Sequence, residues 1–304
     1  MDDMSQLRVL PSDAPPRLED EPQRPSWIRV RAPAGERYLS LRRLLEERRL
    51  HTVCSSAACP NIGECWSSGT ATFMILGNYC TRSCRFCDVK TSNRPLPVDL
   101  EEPERLAEAA VLMQLQHVVI TSVARDDLED GGAEQFARCL RAVRQRLPEA
   151  SLEVLVPDFA ERRESVATVV NERPEIFNHN IETVPRLTRR IRSRARYPRS
   201  LAVLAMAKEL QPEVKTKSGI MLGLGETDEE VRATLRDLKS AHVDIVTVGQ
   251  YLRPSKENHP VVRYVSPEGF AALAEEARSL GFSHVESGPL VRSSYHAERG
   301  VERP

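Results

Sequence analysis

Between residues 70 and 280 the sequence alternates six times between a short, β-branched apolar run and a longer amphipathic segment. The runs cover 70–77, 117–123, 151–158, 175–183, 214–225 and 244–252. The segments at about 101–115, 132–147, 160–173, 200–211, 227–241 and 267–280 are long enough for helices. Such a pattern predicts parallel βα units joined by right-handed crossovers. The expected class is therefore α/β, a partial (βα)6 TIM-like barrel. A doubly wound open sheet competes with it, and a full eightfold barrel needs two more units than the sequence supplies. In either architecture chemistry gathers beyond the carboxyl ends of the strands. The conspicuous residues lie there: Cys80 after the first run, SVARDDLEDGG after the second, NIET ending the fourth, KSG within the fifth and GQYL after the sixth.

Upstream, residues 1–35 concentrate proline and charge, as in PSDAPPRLEDEPQRPSW, and read as extended or partly disordered. LSLRRLLEERRL (39–50) carries leucines at helical spacing and predicts a short helix. The N-terminus lacks the basic stretch and apolar core of a secretory signal, and is too acidic and proline-rich for a mitochondrial transit peptide. No apolar run reaches the ~18 residues of a membrane span. A formal charge of −1 argues against nucleic acid as the main partner. The expected location is the bacterial cytoplasm.

Seven cysteines without a signal peptide point to metal or redox chemistry rather than disulfides. Six fall between positions 54 and 87, and Cys139 stands apart in QFARCLRAV as a small buried apolar residue. CSSAACPNIGEC holds Cys54, Cys59 and Cys65 in a setting that reads as loop. NYCTRSCRFCDV, directly after the first strand, holds Cys80, Cys84 and Cys87 as C-x3-C-x2-C. Closed zinc and iron–sulfur sites usually take four protein ligands, so each set is short of one. For the second set, one reading is zinc with a borrowed ligand, His51 or Asp88. The other is a cubane cluster on three thiolates, with one iron open to a small ligand. The loop's place above the sheet and Phe86 beside the last cysteine favour the cluster.

This C-x3-C-x2-C motif resembles the signature of the radical S-adenosylmethionine (SAM) superfamily, whose fold is a partial six-fold βα barrel. The resemblance implies that the open iron binds SAM, and that an added electron yields a 5′-deoxyadenosyl radical able to take hydrogen from unactivated carbon. It narrows further. CSSAACPNIGECW, CTRSCRFCDV, VVITSVARDDLEDGGA, HNIETVPRL, TKSGIMLGLGET, TVGQYLRPS and SGPLVRSSYHA resemble, in order, the motif series of the lipoyl synthase family, spanning residues 54–297. That implies sulfur insertion at two carbons of an octanoyl chain carried on a lysine, with two SAM molecules consumed. It also implies a second, sacrificial [4Fe–4S] cluster on Cys54, Cys59 and Cys65, with Ser294 of RSSY as its fourth ligand. The catalytic set would be Cys80, Cys84, Cys87 and Ser294. A serine oxygen is a harder, poorer match to such iron than thiolate, which suits a corner that must open. Ala124 and Thr188 stand where the family often has Asp and Tyr, away from ligand positions. Implied partners are octanoylated lipoyl-carrier domains (glycine cleavage H protein, 2-oxoacid dehydrogenase E2 subunits), a flavodoxin- or ferredoxin-type electron donor and an iron–sulfur cluster carrier.

Candidates to hold SAM are Phe86, Thr121, Ser122, Asp126, Asp127, Asn180, Glu182 and Gln250, whose amides, hydroxyls and carboxylates suit its ribose and ammonium. Each is also a plausible turn or cap residue. Asp130-Gly131-Gly132 is expected to cap a helix, and GLGE to form a tight turn. Lys217 or Arg292 would balance a carboxylate or cluster charge. His117, His179, His242 and His284 read as scaffold. RLTRRIRSRARYPR (186–199) carries seven arginines and reads as a solvated face, with docking of an acidic carrier domain as the alternative. The expected organisation is an N-terminal extension (1–69) with the first cysteine set, a barrel (70–281) and a C-terminal segment (282–304) that closes the auxiliary cluster. Two rivals stay open: a different two-cluster radical enzyme, and a non-enzymatic zinc or iron–sulfur protein.

Overall fold

The apolar runs pair side by side in chain order. The computed structural model describes residues 21–28, 36–56 and 59–300. The extended reading of 1–20 and 29–35 lies outside the described residues. Strands are β1 (His51–Thr52), β2 (Thr70–Ile75), β3 (Tyr79–Cys80), β4 (Lys90–Thr91), β5 (His117–Ser122), β6 (Ser151–Leu155), β7 (Ile176–Asn178), β8 (Lys215–Leu222), β9 (Ile245–Gln250) and β10 (His284–Gly288). Helices are α1 (Glu36–Glu47), α2 (Val53–Ser56), α3 (Ile62–Ser67), α4 (Glu102–Leu112), α5 (Ala133–Arg146), α6 (Arg163–Val170), α7 (Pro185–Ile191), α8 (Tyr197–Leu210), α9 (Asp228–Ser240) and α10 (Pro267–Ser279).

One sheet runs β1-β2-β5-β6-β7-β8-β9-β10, parallel throughout except for β1, which is antiparallel to β2. Neighbours in space are neighbours in sequence, which is barrel topology rather than a doubly wound sheet. The edges β1 and β10 do not pair among the described residues, so the barrel is open. All six expected strands and helices are present. The sheet also has a seventh parallel strand, β10, which the sequence reading did not count. Only Val285 is buried in its HVESG, so the strand carries almost no apolar signal.

Phe73, Val118, Ile120, Leu152 and Val154 of the first strands pack in one core with Leu106, Phe136 and Val166 of α4, α5 and α6. Ile220, Leu222, Val246 and Val248 pack in a second with Val231 and Leu235 of α9 and Phe270 of α10. Helix starts are locally encoded. Thr227 and Glu230 form a reciprocal capping box on α9, and the Asp130 carboxylate accepts the Gly132 and Glu134 N–H groups, each at 2.8 Å, at the start of α5. In GLGE, Gly223 and Gly225 take φ of +105° and +108°, and the Glu226 carboxylate accepts from Gly223 and Leu224.

The first cysteine stretch departs from the loop expected there. It contains α2 and α3, because Ile62 and Trp66 stand four apart and are both buried. The arginine run holds the short helix α7 and the first turn of α8.

Candidate active site

The second cysteine set rises from the end of β2. β3, which carries Cys80, pairs with β4 beyond Cys87, and Ser92 N donates to the Cys80 carbonyl at 3.0 Å, closing the loop at its neck. The Cys80 sulfur accepts N–H groups from Arg82 and Ala124 at 3.4 and 3.3 Å. Thr81 is stitched to the β5 end through the Ala124 carbonyl (2.9 Å) and the Asp126 N–H (3.0 Å). Ala124 therefore contributes backbone, which explains why the side chain there is free to be alanine. Thr188 is buried and donates its hydroxyl to the Val184 carbonyl at 3.0 Å, a local contact within α7. On the far side of the loop, Asn258 Nδ2 donates to the Cys87 carbonyl at 3.0 Å, and Phe86 packs against the second core.

Arg82, between Cys80 and Cys84, anchors the loop to two strand ends. It grips Asp126 with two N–H groups (2.9 and 2.6 Å) and donates to Asp158 at 2.7 Å. Burial pushes the Asp158 carboxyl up, but the bond and charge of Arg82 outweigh it and hold the group at about 2.

The expected SAM contacts divide into two groups. Thr121 donates its hydroxyl to the Leu155 carbonyl at 2.7 Å, and Asp127 is gripped by Arg125 at 2.8 Å. Gln250 donates to the carbonyls of Leu222, Tyr251 and Arg263 and accepts from Val265 N, so its amide is fully engaged in the scaffold. Ser122, Asn180 and Glu182 differ. Ser122 Oγ and Asn180 Oδ1 are buried without a hydrogen-bond partner among the described residues. Asn180 donates to Glu182 at 3.1 Å. Glu182 has φ of +65°, a strained region for a side-chain-bearing residue. It lies within electrostatic reach of Cys84, Cys87 and Arg192, and burial raises its carboxyl while Arg192 and Asn180 oppose the rise. Gly219 makes room for this group: a Cβ there would stand 2.8 Å from Asn180 Oδ1.

The first set is built against β2. Cys54 on α2 is buried beside Thr72 and Trp66. Cys59 N donates to the Cys54 carbonyl at 3.0 Å, and Cys65 lies half-buried on α3. The polar residues between these cysteines reach the far end of the chain. Asn61 Nδ2 donates to the Leu290 carbonyl at 2.7 Å. Glu64 accepts from the Tyr295 hydroxyl at 3.2 Å and lies 3.3 Å from His296 Nε2, whose ring stacks on Tyr295 with 3.8 Å between centroids. Between these anchors Ser294 occupies a turn closed by Tyr295 N on the Arg292 carbonyl at 2.9 Å. Gly249 lets the segment cross the end of β9, since a Cβ would meet the Val291 carbonyl oxygen at 2.3 Å. Arg292 is the cation beside Cys59, whereas Lys217 is buried on Glu153 at 3.0 Å.

Burial raises the thiols of Cys54, Cys59 and Cys87, and pushes Cys84 up to about 12 although Arg192 opposes it. Such thiols stay neutral near pH 7 until a metal replaces the proton. None of the cysteines is in a disulfide. Among the described residues no three His, Cys, Asp or Glu groups converge as a single-ion site. Three soft sulfurs per set, with N–H groups on the Cys80 sulfur, match iron–sulfur chemistry. The orphaned acceptors of Ser122 and Asn180 match a polar cofactor beside the second set. Cys139 is buried on α5 and belongs to neither set.

Four residues at the site were not singled out in the sequence: Arg82, Asp158, Asn61 and Glu64. Arg192 belongs to the arginine run yet is buried, donating to the Ile181 carbonyl and Ser200 Oγ, each at 3.1 Å, within reach of Glu182 and Cys84. The run is thus not one solvated face. The scaffold reading holds for His179, which sits between Val156 and Ser200, and for His117, buried beside Glu153.

The profile of the radical SAM superfamily matches residues 74–238. A lipoyl synthase of Rubrobacter xylanophilus is 56% identical over 92% of this chain and 87% of its own length. A lipoyl synthase of a Geobacillus species (strain WCH70) is 55% identical over 93% and 95%. The chain belongs to the lipoyl synthase family of radical SAM enzymes. Solved structures agree on the fold alone. Streptococcus suis SuiB bound to its precursor peptide SuiA superposes with a TM-score of 0.57 at 11% identity, covering 82% of this chain and 52% of SuiB. HydG, a maturase of the [FeFe]-hydrogenase, superposes at 0.54 and 14%, covering 88% and 68%. As a member of the lipoyl synthase family the protein is a radical SAM sulfurtransferase, and SAM and [4Fe–4S] clusters are its cofactors. Among the described residues no helix is long and apolar enough to cross a membrane.

Proposed function

We propose that the protein makes the lipoyl cofactor by inserting two sulfur atoms into an octanoyl chain held on a lysine of a carrier protein. The observation that carries this reading is the pairing of two three-cysteine sets, the first of which is tied by Asn61 and Glu64 to the segment bearing Ser294. Cys80, Cys84 and Cys87 would hold one cluster, and Cys54, Cys59, Cys65 and Ser294 the other. When bound, the cluster on Cys80, Cys84 and Cys87 would supply the electron that turns SAM into a hydrogen-abstracting radical, and the cluster on the other set would supply sulfur.

The protein's own contribution is to hold, orient and exclude water. Arg82 and the Ala124 N–H fix the second cysteine loop over the strand ends. Ser122, Asn180 and Glu182 offer unengaged or strained polar groups to the ribose and ammonium of SAM, with Phe86 packing nearby. Thr121, Asp126, Asp127 and Gln250 act one layer back, as the groups that shape those strand ends. The Ser294 turn is held over the first set by contacts outside Ser294 itself, so that ligand can let go without the segment leaving.

Two substitutions separate these roles. Cys87→Ala should abolish SAM cleavage to 5′-deoxyadenosine. Ser294→Ala should retain a measurable fraction of that cleavage and lose sulfur transfer. Deoxyadenosine assayed in both variants checks this, and an equal collapse of cleavage in both contradicts the division of labour.

A further inference from the structure

An open cavity of about 900 Å³ lies across the loops that follow β5, β6 and β7, with Arg82 of the cysteine loop in its wall. Its charge is one-sided. Arg162, Arg189, Arg194 and Arg196 are exposed along it, and Asp126 and Glu129 are its only acidic lining among the described residues. The arginines do not all have partners at home. Arg186 is paired with Glu230 at 2.7 Å, Arg199 reaches Asp158 at 3.5 Å, and Arg194 shares Asp126 with Arg82 at 3.5 Å. Arg162, Arg189 and Arg196 make no ion pair among the described residues.

Guanidinium groups gathered without counter-charge repel one another, and the chain as a whole carries a net charge of only −1. The concentration is therefore local. It comes from two separate segments, with Arg162 before α6, Arg189 on α7 and Arg194 and Arg196 in the loop after it, so it fits an extended anionic face better than one phosphate. Phe159 and Tyr197, the aromatic residues in the lining, are buried, which leaves nothing for nucleic-acid bases to stack on.

We infer that this groove docks an acidic protein surface: the carrier domain that presents the acyl-lysine. The inference rests on the proposed carrier-bound substrate and adds where and by what charge the carrier is held. Docking here places the carrier against the loop between Cys80 and Cys84, and steering by exposed charge raises the encounter rate.

The test uses the whole enzyme with an octanoylated glycine cleavage H protein and, separately, a short octanoyl-lysine peptide. Calorimetry at low and high salt reads binding, and turnover of the peptide reads the chemistry. The combined variant Arg162→Glu, Arg189→Glu and Arg196→Glu should bind the carrier roughly tenfold more weakly or worse, with a shallower salt dependence. It should turn over the free peptide within about twofold of the parent, and each single reversal should weaken carrier binding by about threefold. Unchanged carrier binding, or peptide turnover lost in parallel, overturns the inference. Salt-dependent carrier binding that the variant loses, without sulfur addition by the parent, keeps the docking and defeats the proposed chemistry. Sulfur addition with carrier binding indifferent to the arginines does the reverse.

Discussion

Glu64 shows how much a single side chain outside the cysteine pattern controls. It is exposed, on α3 next to Cys65, and its carboxylate holds both Tyr295 and His296, 231 and 232 residues away. Charge-assisted hydrogen bonds of this kind are roughly twice as strong as neutral ones. Glu64→Ala should leave deoxyadenosine formation within about twofold, yet speed chelator removal of iron from the cluster on Cys54, Cys59 and Cys65 several-fold, because the Ser294 turn loses one of its two anchors. Iron release followed at constant chelator checks this; a rate equal to that of the parent contradicts it. At this scale the sequence was legible where chemistry restricts residue type. Sulfur ligands stand out because few other side chains bind soft metal. Thr121 and Gln250 did not reveal that they serve the scaffold, since a hydroxyl or amide carries no mark of its partner. Arg82 and Arg192 were hidden for the opposite reason: in a chain rich in arginine, nothing local marks those that turn inward.

Elements were legible in proportion to the apolar surface they bury. The six strands of the central runs bury nearly every residue, whereas β10 and the short helices α2, α3 and α7 bury two or three each or fewer. Their stability comes from what they lie against, and that is absent from a local pattern. His179 illustrates a junction between elements. Its Nδ1 donates to the Val156 carbonyl at 2.8 Å beyond β6, and its Nε2 accepts from Ser200 of α8 at 2.9 Å. These two contacts suit the neutral ring. Burial first, and Arg192 second, lower it to about 4. The unfolded chain takes up a proton as pH drops below ~6.5, and the folded chain does not until about 4. Stability is therefore complete above ~6.5 and falls by about 3 kcal/mol on acidification to about 4. Denaturant midpoints across that window should drop in the parent and drop less in His179→Gln; equal slopes contradict the assignment.

For the whole molecule, the open barrel supplies the floor, and both cysteine sets are held at its rim by segments far apart in sequence. One cysteine set is stitched to the β5 and β6 ends through Thr81 and Arg82; the other is stitched to the C-terminal segment through Asn61 and Glu64. Gly249 is the opening in β9 that lets that segment pass. The central claim is that the two sets work together on one acyl chain. Its most direct measurement is the mass of an octanoyl-lysine peptide after anaerobic incubation with the iron-reconstituted enzyme, reductant and SAM. The account predicts a product heavier by two sulfur atoms, with about two 5′-deoxyadenosine molecules formed per product. Deoxyadenosine formed over an unmodified or merely desaturated peptide, with no sulfur gained, would contradict it.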